Sequence, residues 1–376
     1  MHLPEDASRA VHQPKLKIID LRKTYGPVVA VAGASLDLKE GEFLTLLGPS
    51  GSGKTTMLMM IAGLVQPDSG EVWIDGRLAT YAPPHKRDIG MVFQNYALFP
   101  HLTVSENIAF PLRMRGMTEI DIRREVARVL DLVQLPELGG RLPRALSGGQ
   151  QQRIALARCL VYRPSIVLMD EPLGALDKKL RDQMKLEIKR LCTELGITVL
   201  YVTHDQEEAM IMSDRVCLMN NALIEQIGSP ADLYFRPRSL FAADFIGESN
   251  LLGAEVTGVD GDEVTLNGAA GALLKARLDA GRSVRLGEAV KLMIRPEMLR
   301  VLQGDASADN VLDARLSDVI LVGGVTKTYA RLADGTLVAA TDLTDGPLGN
   351  IEKDASIRLG WARESGVVLP REGPDV

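Results

Sequence analysis

The chain has 376 residues, 46% hydrophobic and 24% charged, with a formal net charge of −6 at pH 7. That length suits two domains, the composition is that of a soluble globular protein, and the acidic balance leaves no basic footprint for nucleic acid. The longest apolar stretch, Met57 to Val65, falls short of the roughly 20 residues of a membrane-spanning helix. Met1 to Lys15 lacks the apolar core of a secretory signal. Cys159, Cys192 and Cys217 have no metal-type spacing and are expected as buried thiols in a reducing compartment. The chain therefore reads as cytosolic, and any work at a membrane has to pass through a partner.

Residues 1–14 read as a flexible tail. Leu16 to Leu38 alternate in strand fashion about the turn Tyr25-Gly26-Pro27. Phe43 to Leu47 is a short apolar run, expected as a buried strand. It leads into Gly48-Pro49-Ser50-Gly51-Ser52-Gly53-Lys54-Thr55, a G-x-x-x-x-G-K-[ST] phosphate loop. Lys54 to Leu64 reads as the helix that should follow. In such a loop the glycines let successive N–H groups turn inward around phosphate oxygens, and the helix adds the positive end of its dipole. Lys54 is expected on the β- and γ-phosphates, Thr55 on Mg²⁺, and Thr56 as a further phosphate ligand.

The middle of the chain is helical. Thr118 and Asp121 form a capping pair, and Ile122, Val126, Val129, Leu130 and Val133 recur at helix spacing. Ile166 to Met169 is an apolar run ending in Asp170-Glu171. Adjacent side chains at a strand end point in different directions, so the two can take different tasks: Asp170 on Mg²⁺, Glu171 as the general base for water. Leu180, Met184, Ile188, Leu191 and Leu195 then mark one face of an amphipathic helix, and Ile197 to Thr203 is a β-branched run ending at His204. Strands alternating with helices predict a parallel α/β core with a helical insertion. Beyond residues 236–245 the text becomes short alternating runs broken by Asp260-Gly261 and Asp334-Gly335, which predicts a small all-β, barrel-like domain of five strands.

Between the phosphate loop and the acidic strand end stands Leu146-Ser147-Gly148-Gly149-Gln150-Gln151-Gln152-Arg153. This order of motifs resembles the ATP-binding cassette (ABC) ATPases. The resemblance implies a phosphate-loop ATPase cassette over 15–245, with a helical subdomain at about 95–160. It also implies an OB-type (TOBE) domain over 246–376 for dimerisation or regulation. It makes Gln94, after Met91-Val92-Phe93, the glutamine that touches both Mg²⁺ and the attacking water. His204 becomes the switch histidine at the γ-phosphate, and Tyr25 the aromatic stacked on adenine. Ser147, Gly148, Gly149 and Gln150 act in the family on the ATP of the opposite cassette, so one chain with one cassette implies a head-to-tail homodimer enclosing two ATP molecules. Leu173-Gly174-Ala175-Leu176-Asp177 resembles the dimer-contacting loop, with Gly174 where the family often has serine.

Tyr96 to Val104, Phe245 to Asn250 and Ile294-Arg295-Pro296-Glu297 are similar to bacterial importer ATPases, nearest to the polyamine (spermidine/putrescine) type. Ferric iron, thiamine, phosphonate and sugar importers share much of this text. The resemblance thus implies ATP and Mg²⁺ as cofactors, integral membrane permease subunits as partners and, indirectly, an extracytoplasmic solute-binding protein. It places the chain at the cytoplasmic face of the inner membrane. The short interval from Lys54 to Ser147 has no heptads, unlike the coiled-coil DNA-repair ATPases of the same chemistry, and soluble translation or resistance factors normally carry two cassettes. The segment from Gln94 to about Gly116 is expected to dock the membrane partner through Tyr96, Leu98, Phe99 and Leu102. The competing reading packs these four into the subdomain's own core.

Overall fold

The computed structural model describes residues 13–371 except 175, 269–270, 280, 305 and 345–352. The expected tail thus lies almost wholly outside the described residues, as does Ala175. The chain divides into two compact units between Pro230 and Ala231.

In the first unit β1 (Leu16–Tyr25) and β2 (Val28–Leu38) turn back on each other at Gly26. β3 (Phe43–Leu47) is buried along its whole length and opens into the glycine loop. α1 (Lys54–Ala62) buries Met57, Leu58, Met60 and Ile61, and stops at Gly63 in a left-handed cap (φ 78°). Its last carbonyls meet the buried Arg87 guanidinium, which donates to Met60 O and Ile61 O at 2.8 Å each. A cation at that end also complements the helix dipole. β4 (Ser69–Ile74) and β5 (Arg77–Leu78) complete an antiparallel sheet in the order β2-β1-β4-β5.

β6 (Ile89–Val92) precedes three helices: α2 (Val104–Met114), α3 (Glu119–Leu132) and α4 (Gly148–Leu160). Thr103 and Glu106 form a capping box on α2, and Thr118 caps α3 by accepting the Asp121 N–H, as its sequence predicts. Val104, Ile108, Ile122, Val129 and Ile154 make the core of this helical segment. Then follow β7 (Ile166–Asp170), α5 (Lys178–Glu194), β8 (Val199–Thr203), α6 (Gln206–Met212), β9 (Arg215–Asn220) and β10 (Leu223–Gly228). The second sheet has the order β10-β9-β3-β8-β7-β6, parallel except for β9–β10. Phe43 to Leu47 pair with Val199 to Thr203, and Asp170 pairs with Val202. That register brings Leu47, Thr203 and Asp170 to one edge. Cys159, Cys192 and Cys217 are free and buried, and burial pushes each thiol up to about 12.

Two expectations are corrected here. Leu195 is not on the buried face of α5: the helix ends at Glu194, Gly196 turns left-handed (φ 61°), and Leu195 is 44% exposed. Tyr96 does not present a docking face. It is buried with Leu156, Met184 and Ile188, and Leu98 packs on the same cluster. Phe99 packs against Phe110, the rings tilted at 51° with centroids 4.7 Å apart.

The second unit begins around α7 (Pro230–Phe235) and α8 (Leu240–Phe245), earlier than the residue-245 boundary. The reason is Arg295. Its buried guanidinium donates to Tyr234 O, Ala243 O and Gly247 O, binding both helices to the strand before it. The strands are β11 (Asn250–Asp260), β12 (Glu263–Asn267), β13 (Leu273–Arg277), β14 (Ala289–Ile294) and β15 (Arg300–Leu302). They continue as β16 (Asn310–Val322), β17 (Val325–Leu332), β18 (Leu337–Leu343), β19 (Ser356–Trp361) and β20 (Gly366–Pro370). They form two five-stranded sheets, β13-β12-β11-β14-β20 and β15-β19-β16-β17-β18, around one core of Leu252, Leu266, Leu292, Leu312, Leu332 and Trp361. The expected barrel of five strands is therefore ten strands in two sheets. The halves repeat one plan and exchange their fifth strands: β15 follows β14 but pairs with β19, and β20 follows β19 but pairs with β14. Each long strand opens on a buried asparagine that reaches the other sheet. Asn250 bonds Ala339 N and O at 2.7 and 2.8 Å, and Asn310 bonds Lys275 N and O at 2.6 and 2.9 Å.

Candidate nucleotide site

Open α/β sheets hold ligands beyond the carboxyl ends of their strands. Here β3, β8, β7 and β6 are neighbours, and the loops after them carry Gly48–Gly53, His204, Asp170-Glu171 and Gln94. Gly48 and Gly53 are required by close backbone approach. A Cβ on Gly48 would lie 2.2 Å from Met219 O, and one on Gly53 (φ 98°) 2.1 Å from Ala30 O. Lys54 is the first residue of α1 and is buried. Its ammonium donates to Gly48 O and Pro49 O at 2.8 Å each, with Ser52 Oγ at 3.4 Å. Burial pulls its pKa down, opposed by the charges of Glu171 and Asp170. A desolvated cation held by two carbonyls and a hydroxyl, at a helix N-terminus, is a built anion site. Ser50 and Gly51 are exposed at the loop crest, and Thr56 is half-buried behind Thr55.

Thr55 Oγ1 donates to Asp170 Oδ1 at 3.3 Å. Burial, with Glu171 beside it, raises the Asp170 carboxyl above its ordinary value. A hydroxyl and a carboxylate converging this way are hard oxygen donors of the kind Mg²⁺ prefers. Glu171 sits at φ 43°, where a residue with a side chain is strained. Its N–H donates to Val202 O at 3.0 Å, and its Oε1 lies 3.1 Å from His204 Nδ1. Gln94 is exposed and belongs to the same cluster. A Cβ on Gly174 would come within 3.6 Å of Gln94 Nε2 and 3.4 Å of Glu171 O. A serine there would make ordinary contact with both.

Tyr25 ends β1 with 50% of its surface exposed and Lys23 Nζ 5.4 Å from its ring centre. The strand end is fastened by Asp68, which sequence reasoning missed. Its carboxylate accepts from Lys23 Nζ, Thr24 N and Thr24 Oγ1 at 2.7–2.8 Å, which hold it down at about 2. The only local signal was the turn text Pro67-Asp68-Ser69-Gly70. Ser147 caps α4 and forms a capping box with Gln150, whose Oε1 accepts the Ser147 N–H at 3.0 Å. Gly149 packs against Leu180, where a Cβ would come within 3.2 Å. Among the described residues no hydrogen bond joins 147–150 to the phosphate loop. One chain therefore brings together Lys54, Thr55, Asp170, Glu171, His204 and Gln94; among the described residues no hydrogen bond ties Tyr25 or the Ser147–Gln150 cap to them.

Two further residues had no sequence signal. Arg158 of α4 donates to Tyr96 O and Ala97 O at 3.0 and 2.7 Å, bracing two left-handed residues just after Gln94. Asn107 of α2, fully buried, accepts the Phe99 N–H and donates to Phe99 O, Leu102 O and Thr103 O.

A phosphate cradle on a parallel sheet, with paired carboxylates and a histidine at its edge, defines a nucleotide-hydrolysing cassette. Residues 31–174 match the ABC transporter family and residues 292–369 the TOBE domain. The chain is 46% identical to the spermidine/putrescine import ATP-binding protein PotA of Rubrobacter xylanophilus, over 94% of this chain and 93% of that protein. It is 45% identical to the protein of the same name from Methylococcus capsulatus, over 93% of this chain and 91% of that one. Among solved structures, the dimeric bacterial ABC transporter cassette MJ0796 is 37% identical with a TM-score of 0.52, covering 57% of this chain and 98% of that chain. CbiO1 from Clostridium perfringens, part of an ABC transporter complex, is 28% identical with a TM-score of 0.56, covering 59% and 90%. The chain belongs to the ATP-binding proteins of ABC transporters and is an ATPase. The expected α/β cassette followed by a β domain is the fold observed.

Proposed function

We propose that this chain is the energy-coupling ATPase of a polyamine importer, working as a head-to-tail homodimer on integral membrane permease subunits. The observation that carries the reading is the pairing of Thr55 with Asp170 at 3.3 Å and Glu171 with His204 at 3.1 Å on one sheet edge beside Lys54. Gly48 to Gly53 and Thr56 cradle the phosphates, Lys54 neutralises the β/γ charge, and Tyr25 offers its open face to adenine. Thr55, Asp170 and Gln94 would hold Mg²⁺, which when bound offsets phosphate charge. Glu171 takes the proton of the attacking water, oriented by Gln94, and His204 holds the carboxylate in place and reaches the γ-phosphate.

Ser147, Gly148, Gly149 and Gln150 serve the ATP of the second copy. Their exposed cap, unbonded to the chain's own loop, supports that assignment, as does the dimeric state of MJ0796. Asp177 caps α5 by accepting the Leu180 N–H at 3.0 Å, which orients the loop offered to the other copy. The membrane partner docks against the segment from Gln94 to about Gly116, on its outer residues Phe110 and Met114 rather than on Tyr96. The names of the relatives support polyamine import; the same reading puts the chain at the cytoplasmic face of the inner membrane, with a solute-binding protein acting only through the permease.

The test is uptake of labelled spermidine and putrescine by vesicles carrying this chain with its permease. ATP-driven uptake that Glu171→Gln abolishes is the expected result. ATP-driven uptake of ferric iron, thiamine, a phosphonate or a sugar instead would replace the substrate and keep the ATPase reading. Uptake unaffected by Glu171→Gln would sink the mechanism.

A further inference from the structure

Glu208 is a carboxylate only 3% exposed, four positions after His204. An acid so buried needs donors, and two hydroxyls supply them at a single oxygen. Tyr201 donates to Glu208 Oε2 at 2.8 Å and Thr203 at 2.7 Å. The Thr203 hydroxyl has one proton. With that proton given to Glu208, its lone pairs face the Asp205 N–H, which donates to Thr203 Oγ1 at 3.0 Å. Asp205 in turn accepts the Glu208 N–H at 3.1 Å as the cap of α6, and Arg181 stands 3.5 Å from its other oxygen. The bonds close a circuit, Glu208 to Thr203 to Asp205 and back, through the two residues that flank His204. The His204 side chain is itself 58% exposed, so packing does little to fix it, and its placement against Glu171 falls to the backbone on either side.

We propose that Glu208 and Thr203 are positioning residues for His204, holding the backbone on both sides of it through this hydrogen-bonded circuit. The proposal rests on the reading that His204 and Glu171 act together in hydrolysis. A misplacement of about 1 Å in a reacting group can cost on the order of 10²-fold in rate, so the effect belongs in kcat rather than in nucleotide affinity.

The experiment measures kcat, KM for ATP and Tm of the full chain with its permease. Thr203→Val keeps the shape and removes the hydroxyl, and Glu208→Ala removes the acceptor. Each is expected to lower kcat about tenfold or more with KM changed less than about twofold. Glu208→Gln keeps a carbonyl oxygen able to accept both hydroxyls and should retain most of kcat. Tyr201→Phe removes an equally buried bond to the same oxygen without touching the neighbours of His204, so it should lower Tm without reproducing the loss in kcat. His204→Ala is the reference. Wild-type turnover in His204→Ala overturns the functional reading itself. An inactive His204→Ala beside wild-type kcat in Thr203→Val overturns only the positioning role. So do kcat losses that follow Tm across all variants, Tyr201→Phe included, or a Glu208→Gln as impaired as Glu208→Ala. If Glu208→Ala does not fold, the isosteric Thr203→Val decides.

Discussion

At φ 43° the Glu171 backbone carries strain of about 1–3 kcal/mol, held by the bond from its N–H to Val202 O. Glu171→Gln keeps that geometry and removes the base. ATP binding by the full chain should persist while kcat falls about 10²–10⁴-fold, and equilibrium binding measured beside turnover separates the two. Lys54→Ala should act the other way, weakening binding itself, because it removes the one buried cation of the loop. Glu208 gives a pH prediction. Burial outweighs its two hydroxyl bonds and holds the carboxyl above the ordinary 4.5. The folded state then binds that proton more tightly than the unfolded chain. The stability it contributes is present below the ordinary value and lost as pH rises through the raised one. Glu208→Gln does not titrate, so its Tm relative to the wild type should climb from acid to neutral pH. A difference that stays flat across that range would contradict the burial argument. The phosphate-loop and acidic residues could be found in the sequence because their spacing along the chain is what defines them. Glu208, Asp68 and Arg158 could not, because their partners are chosen by side-chain direction after folding.

Helix ends decide much at the next scale. Asn107 satisfies one backbone N–H and three carbonyls between Phe99 and Thr103, and so fixes the path from Gln94 into α2. Asn107→Leu removes the side-chain partners of the Phe99 N–H and Leu102 O, while Phe99 O and Thr103 O keep the Leu102 and Asn107 backbone N–H groups, and should cost about 1–3 kcal/mol. Hydrogen exchange should show the loosening at residues 99–103 before anywhere else in α2. At α4, Ser147→Arg loses a cap worth about 1 kcal/mol. It should leave ATP binding by the isolated chain intact while hydrolysis disappears, and unchanged hydrolysis would refute the in-trans role. Mixing it with Lys54→Ala should restore part of the turnover, since one of the two composite sites is then whole. The periodicity of Ile122, Val126 and Val129 with Thr118 in front was enough to place α3, because cap and stripe are both local. Leu195 failed because the spacing of the stripe reaches one residue past the helix, which ends at Glu194 as the chain turns into left-handed Gly196. The β runs were visible one by one. Their number and pairing were not, because β14 finds β20 only across most of a second sheet's worth of chain.

The compact first unit contains every residue of the candidate nucleotide site. A fragment ending at Pro230 should therefore bind ATP with near full-length affinity. Loss of binding in a fragment still folded by circular dichroism would mean that the site needs the second unit. The exchanged strands make that second unit indivisible. Stopping the chain after residue 365 removes β20 and with it the buried Val368 and Leu369, so limited proteolysis should degrade both sheets while ATP binding survives. The same exchange governs how the protein can be made. β14 leaves the ribosome long before β20, and at about 5–20 residues per second its outer edge waits several seconds for a neighbour. Through that interval the nascent chain displays an open strand edge, a template for other chains. The hazard for this protein thus lies in the timing of synthesis, and slower translation beyond β14 should raise aggregation without altering the finished molecule.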